Sequence, residues 1–358
     1  MVLCFSGGDD MDASRRMQHS LGWYPGPFLI GVTSIAADVG VDVDWFERIM
    51  SEPPSEDRRE RLISMKVVQS LCDQIEELSP KMTLLDVMQR QTNLQANSLV
   101  AISLGEFTLK AVLMRAAVVS LLNANLFTYR FENLPSRKAY ALTFLPIVPI
   151  PRWLHLCFAY QFSEGLISAT GNNDIEVEGI VVCGARLTDD LDLQANVDMG
   201  DRDSRRFLDS APSRVIYKAK ALDQVNRLSN KPWRNFFNSM TNPLLSSRLK
   251  TAPWTYRTYL MILKHFEDGL SLSMEAVSNS LGADVSTLRR YLQAESTGFK
   301  HLITLFRYQQ AQLMIIDGVS IEQMARSLDF KNPVSVKRLV RSKGFCGEDA
   351  TALRDAGN

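Results

Sequence analysis

A chain of 358 residues is long for one domain and comfortable for two. Its 46% hydrophobic content supports a packed core and excludes a disordered chain. Forty basic and forty acidic residues cancel, which excludes a globally basic nucleic-acid binder and leaves room only for a local basic surface.

Five cysteines (Cys4, Cys72, Cys157, Cys183, Cys346) lie far apart, a usage that suits reduced thiols. The four histidines (His19, His155, His265, His301) show no metal-ligand spacing, so no metal and no cofactor is expected. The N-terminus has no charged-then-apolar signal pattern, and no run approaches the ~20 apolar residues that span a bilayer. A soluble, cytoplasmic protein without a membrane partner is the expectation.

In chain order, 1–26 has glycine, charge and little periodicity and reads as a flexible arm. Arg58 to Leu78 repeats apolar residues at helical spacing through Leu62, Met65, Val68, Cys72 and Ile75, and Pro80 follows as a stop. Leu109 to Leu122 is a second helix. Leu126 to Phe131 and Tyr140 to Leu145 are aromatic-rich and of strand length. A helix is expected over Trp153 to Ile167, a strand over Ile175 to Cys183, and a short strand over Val215 to Tyr217. Asn226 to Pro253 is rich in Asn, Ser and Pro and reads as an interdomain connection with helical pieces near Trp233 to Met240. Beyond Trp254 the pattern is helical throughout. The fold class expected is an α+β N-terminal domain (27–228), a linker (229–252), and an all-α C-terminal domain (253–358).

That C-terminal part contains a repeat. Ser273-Met274-Glu275 returns as Ser320-Ile321-Glu322, an offset of 47 residues, and Ser280-Leu281 returns as Ser327-Leu328. Leu288-Arg289-Arg290 returns as Val336-Lys337-Arg338, an offset of 48. One helix-turn-helix unit is used twice, at about 272–294 and 319–343. Ser273 and Ser320 are placed to cap short helices, and Gln323 completes a capping box with Ser320. Gly282 permits a tight turn. Asp284 caps the next helix of the first unit; Asn332 does so in the second, with Pro333 at the first helical position.

The second helix of each unit has two faces. Val285, Leu288 and Leu292 cluster on one side and should be buried; Ser286, Arg289, Arg290 and Gln293 form a separate stripe. In the second unit Val336, Leu339 and Val340 should be buried, while Val334, Ser335, Lys337, Arg338 and Arg341 point elsewhere. From Phe330 to Phe345 every charged residue is basic. Such a stripe suits guanine edges and phosphates of double-stranded DNA, although a single charge run more often marks a solvated helix face. Phe299 to Ile316 would join the units as a rigid helix of roughly 27 Å, near the ~34 Å between successive major grooves.

Trp254 to Arg354 resembles the AraC/XylS family of transcription regulators. The carrying segments are Leu281 to Leu292 (LGADVSTLRRYL), Phe299 with Arg307, and Ser320 to Val340 (SIEQMARSLDFKNPVSVKRLV). The resemblance implies base-reading roles for Ser286, Arg289, Arg290, Val334, Ser335, Lys337 and Arg338. It departs at Asp329, where the family has glycine, and after Lys343, where the chain reads GFCGED. Aspartate tolerates left-handed geometry, so the turn is expected to form. The first unit is expected to carry more of the sequence reading.

Upstream, Ser210 to Gln224 (SAPSRVIYKAKALDQ) and Leu99 to Leu122 resemble the arabinose-binding-type effector domain of the same family. This implies a small-molecule effector, a homodimer contact through the N-terminal domain, and RNA polymerase as a partner. Arg152 and His155, beside aromatic residues, are the effector-anchor candidates, against the plainer reading that they are ordinary core and surface residues. Two other functions stay open. One is a protein-interaction module that has lost DNA binding. The other is a catalytic domain fused to the helix-turn-helix units, which the apolar surroundings of Cys72, Cys157 and Cys183 disfavour.

Overall fold

The computed structural model describes residues 33–44, 65–78, 105–119, 124–151, 155–165, 175–187, 208–226 and 229–342, with short gaps at 35, 156–157 and 183–184. The expected arm, 1–26, lies outside the described residues, as do Arg152 and the altered ending after Lys343.

Among the described residues of the first half, helical residues within 33–38 precede α1 (Met65–Leu78) and α2 (Leu109–Val119). Helix α1 buries Val68, Leu71 and Ile75, one stripe of a helical repeat. Strand β1 (Phe127–Leu134) and β2 (Ala139–Pro146) form an antiparallel hairpin around a single turn at Pro135–Arg137, closed by Lys138 at φ 51. The remaining strands are β3 (Ile150–Pro151), β4 (Val177–Val182), β5 (Ala185–Leu187), β6 (Leu208–Asp209) and β7 (Ser213–Lys218). They make a five-stranded antiparallel sheet of order β1-β2-β7-β4-β5 and a small β3-β6 pair. A short helix, α3 (Ala219–Leu222), follows. Where one helix was expected over Trp153 to Ile167, the described part ends in a wider π-type turn at Gln161–Gly165.

Strand pairing assigns two chemically different faces to the sheet. Leu142 pairs with Val215, and Tyr140 with Tyr217. With Phe144 they lie on the face that meets α2 and the aromatic residues Phe158 and Phe162 in the main core. The opposite face holds Ala139, Ala141 and Ile216, which cluster together, and the polar residues Arg130, Glu132, Thr143 and Arg214. Strands β2 and β7 are buried on both faces because the second half of the chain covers this polar one.

The second half is helical: α4 (Lys231–Thr251), α5 (Trp254–Glu267), α6 (Met274–Ser280), α7 (Val285–Ala294), α8 (Phe299–Ile316), α9 (Ile321–Ser327) and α10 (Pro333–Ser342). The segment expected as a connection with helical pieces near Trp233 to Met240 is one continuous helix, α4. Asn230 caps it by accepting from Trp233 N–H, and Pro232 sits in its first turn, where its missing N–H costs nothing. Thr241 and Leu245 are buried, and Arg115 of α2 donates to Thr241 Oγ1 at 2.6 Å and Asn242 Oδ1 at 3.0 Å. That docking outweighs the poor helix propensity of its Asn, Ser and Pro residues.

Five consecutive helices, α5 to α9, end in the same way. In each, one residue turns left-handed and two backbone N–H groups fold back onto the last carbonyls. The residues are Gly269, Gly282, Ser296, Gly318 and Asp329. Between helices the chain therefore reverses sharply within a few residues.

Candidate nucleic-acid interface

Helices α6 and α7 form the first helix pair, α9 and α10 the second. In the first, Ser273 Oγ accepts from Ala276 N–H, and α6 ends at Leu281 with Gly282 at φ 70. Asp284 then accepts from Thr287 N–H at 2.8 Å and starts α7. In the second pair Ser320 and Gln323 form the reciprocal capping box, α9 ends at Leu328, and Asp329 turns at φ 54. Asn332 Oδ1 accepts from Ser335 N–H at 3.0 Å to start α10. The caps expected from the repeat occupy equivalent places in both pairs.

In each pair the second helix has one buried side. Leu288 and Leu292 are buried on α7, Val336 and Val340 on α10. Val285 and Leu339 are only half-buried, shallower than expected. Ser286, Arg289, Arg290 and Gln293 are exposed on α7; Val334 and Arg338 are exposed on α10, while Ser335 and Lys337 are half-buried. The side chain of Arg341 lies outside the described residues. Val334 is 63% exposed, and an apolar side chain so open offers contact area but no hydrogen bond.

Two of these candidates already have intramolecular partners. Ser286 donates to Asp284 Oδ1 at 2.6 Å, and Ser335 donates to Asn332 Oδ1 at 3.1 Å. Hydrogen bonds from Ser286 and Thr287 hold the Asp284 carboxyl well below the usual carboxylate range. Its negative charge is therefore fixed at the positive end of α7.

The first pair is anchored to α5 at both ends. Glu295, after α7, accepts from Trp254 N–H and Thr255 N–H at 2.8 Å each, closing the first turn of α5. Trp254 stacks on Tyr291 of α7 with centroids 4.6 Å apart and planes at 13°. Arg257 lies over Trp254 at 4.0 Å, and Arg290 lies 5.5 Å from the Tyr291 ring. His265, buried in α5, pairs through Nδ1 with Ser271 O and through Nε2 with Ser280 Oγ, which ties α6 down.

Helix α8 connects the pairs as expected, with Phe306 fully buried against the edges of Phe266 and Tyr259. Arg307 reaches forward from α8 to the second turn. It donates to Asp329 O at 3.1 Å and lies 4.8 Å from the Phe330 ring. Aspartate in this left-handed position is thus clasped through its backbone.

Sequence reasoning missed a buried polar junction between the sheet and α8. Arg214 donates to Glu132 Oε2 at 2.9 Å, Thr143 Oγ1 at 3.1 Å and Asp317 Oδ2 at 2.8 Å. Arg130 bridges Glu267 at 2.9 Å and Gln310 at 2.8 Å. Gln309 Nε2 donates to Pro146 O at 2.7 Å and Ser210 O at 2.8 Å, while its Oε1 accepts from Tyr259 Oη. Burial alone would raise Glu132, but the Arg214 and Arg130 guanidiniums outweigh it and hold this carboxyl below its usual range. Burial drives the Tyr259 hydroxyl far upward, so it stays a neutral donor. The available hint was Gln309, Gln310 and Gln312 interrupting an otherwise apolar helical run; their partners lie up to 180 residues away.

His155 sits in the main core. Its Nδ1 lies 2.8 Å from Ser213 Oγ, and Phe144 meets its ring edge-on at 5.3 Å. Phe144 in turn belongs to a cluster with Phe127, Tyr129, Phe158 and Phe162, whose ring centroids lie 4.7–5.5 Å apart. Among the described residues no group of His, Cys, Asp and Glu has an arrangement that could hold a metal ion, and no helix is long and apolar enough to cross a membrane.

No protein-family model and no curated protein matches the chain. Among solved structures, the crystal structure of the transcriptional regulator CdpR from Pseudomonas aeruginosa is similar to it at a TM-score of 0.34 and 12% identity, over 88% of this chain and 94% of that one.

Proposed function

We propose that the chain is a sequence-specific, DNA-binding transcriptional regulator of the AraC/XylS type, with α6–α7 and α9–α10 as two helix-turn-helix reading units. The observation that carries this reading is the repeated pair. Caps, left-handed turn and buried stripe recur at offsets of 47 and 48 residues, and each time the helix that follows presents exposed arginine away from its buried stripe. Repetition of the whole arrangement favours a duplex over a merely solvated face, because duplex DNA repeats its major groove every helical turn. Arg289 and Arg338 are the proposed principal contacts, with Arg290, Gln293, Ser335, Lys337 and Arg341 beside them. Their activity is binding, with no catalytic step.

Control by a small molecule through the N-terminal half, and contact with RNA polymerase, belong to the same proposal and rest on the family resemblance. The packed surroundings of His155 favour a structural role for that residue over an effector contact.

The test is selection of duplexes from a random pool by the full chain, followed by a salt titration on the selected sequence. The expected result is an enriched motif whose affinity falls steeply with salt, as phosphate contacts require. Absence of enrichment together with salt-insensitive binding would leave the units as protein-interaction surfaces.

A further inference from the structure

The two reading units are held by different means. The first belongs to the main core: Val277, Leu288 and Leu292 are continuous with apolar residues of the sheet half. The second has a small core of its own, built from Ala311, Ile321, Met324, Ala325, Leu328, Val336 and Val340. Phe266, only partly buried, packs against both clusters. Apolar packing therefore fixes the first unit to the body of the protein and ties the second to the C-terminal half of α8, from Arg307 and Ala311 to Ile315.

That end is a sharp joint. Asp317 closes α8, Gly318 turns at φ 73, and Ser320 opens α9 two residues later. The Asp317 carboxylate points back to the sheet half. Arg214, fully buried on β7, donates to its Oδ2 at 2.8 Å, and Arg137 of the β1–β2 turn lies 3.6 Å from its Oδ1. Arg214 cannot turn away freely, because Glu132 and Thr143 hold its other nitrogens. A fixed cation thus meets the residue on which the second unit pivots. Charge-assisted bonds of this kind impose direction as well as attraction.

We propose that Asp317 is a positioning residue: through Arg214, the sheet half latches the joint between α8 and α9 and sets the orientation of the second reading unit relative to the first. The latch itself rests on geometry alone; its consequence for DNA rests on the proposed function. Held by Arg214, the second unit faces one groove position. Released, it swings about Gly318 and accepts several.

The experiment compares the full-length protein with Asp317→Asn and Asp317→Glu. In hydrogen exchange, Asp317→Asn should speed exchange in α9 and α10 by at least about tenfold and leave α6, α7 and the sheet unchanged. Asp317→Glu, which keeps the charge, should lie closer to the parent. On duplexes in which the spacing between the two half-contacts is varied, the parent should prefer one spacing and Asp317→Asn should lose that preference while keeping its affinity for the first half-contact. Unchanged exchange in α9 and α10, or melting of the whole chain together, overturns the latch. Should the parent select no DNA, the proposed function fails, and the exchange measurement still decides the latch.

Discussion

Asp329 takes in the second helix pair the left-handed place that Gly282 takes in the first, at φ 54 against 70. A residue with a Cβ pays roughly 1–2 kcal/mol there, partly offset by the ~0.5–1 kcal/mol of extra chain entropy that glycine loses on folding. Asp329→Gly should therefore stabilise the protein by about 0.5–1 kcal/mol, seen as a higher denaturant midpoint at unchanged slope. Gly282→Ala should do the reverse: open space surrounds the site, so the cost is the backbone conformation alone. A lower midpoint for Asp329→Gly would mean that the aspartate side chain, 3.8 Å from Arg307, contributes more than the turn costs.

Glu132 links acid stability to the sheet–helix junction. Its folded-state pKa lies below its usual value, so its contribution is full above the ordinary carboxylate range, near ~4.3, and is lost as pH falls through the depressed value. Glu267, raised by its own burial, works in the opposite direction. A comparison with Glu132→Gln isolates the first effect. At pH 7 the variant should be less stable by roughly 1.5–3 kcal/mol, since Arg214 loses one of its two carboxylate partners and keeps only Asp317. The gap should narrow steadily between pH 5 and pH 2 in urea titrations. A gap independent of pH would show that charge on Glu132 is not what the junction uses.

Phe306 meets Phe266 and Tyr259 edge-on inside α8 and is fully buried. Phe306→Ala should cost roughly 3–5 kcal/mol. A calorimetric profile matching the parent's would show that the connector does not depend on this contact.

Arg289 is exposed on the outer side of α7. If it pairs with a base edge, Arg289→Ala should weaken binding to the selected duplex by roughly 1–3 kcal/mol and to random duplex by less. Equal losses on both would make it a phosphate anchor. Arg290→Ala also removes packing beside Tyr291, so it should lower thermal stability slightly as well.

The second half of the chain was legible because its signals are local. Ser320 with Gln323, Asp284 with Thr287, and Asn332 with Ser335 each act within three residues, and the apolar stripes of α7 and α8 follow from helical spacing. What escaped was everything decided at a distance. Helix α4 reads as a connection because its Asn, Ser and Pro residues are weak helix formers; its stabiliser is Arg115, more than a hundred residues earlier, bonded to Thr241 and Asn242. Strand β5 and the β3–β6 pair are too short to show alternation. Arg214 and Asp317 carry no mark of their partnership, since a charged residue in sequence does not reveal what it faces. Within the candidate interface the exposure of Arg289, Arg290, Gln293 and Arg338 follows from helical spacing, whereas the half-burial of Lys337 and the use of Ser286 and Ser335 as partners of the capping side chains do not.

Only Ala252 and Pro253 separate α4 from α5, yet the covalent chain is not the principal bond between the halves. Gln309 grips two carbonyls of the sheet half with one nitrogen, and Arg130 and Arg214 cross in the other direction. A cut peptide at this joint would leave those contacts intact, so the nicked protein should travel as one particle through a sizing column. Two polypeptides made separately, ending and beginning there, should reconstitute on mixing. The helical piece alone would carry Gln309 and Gln310 into water on a surface shaped for the sheet, and would behave as half of a complex seeking its complement.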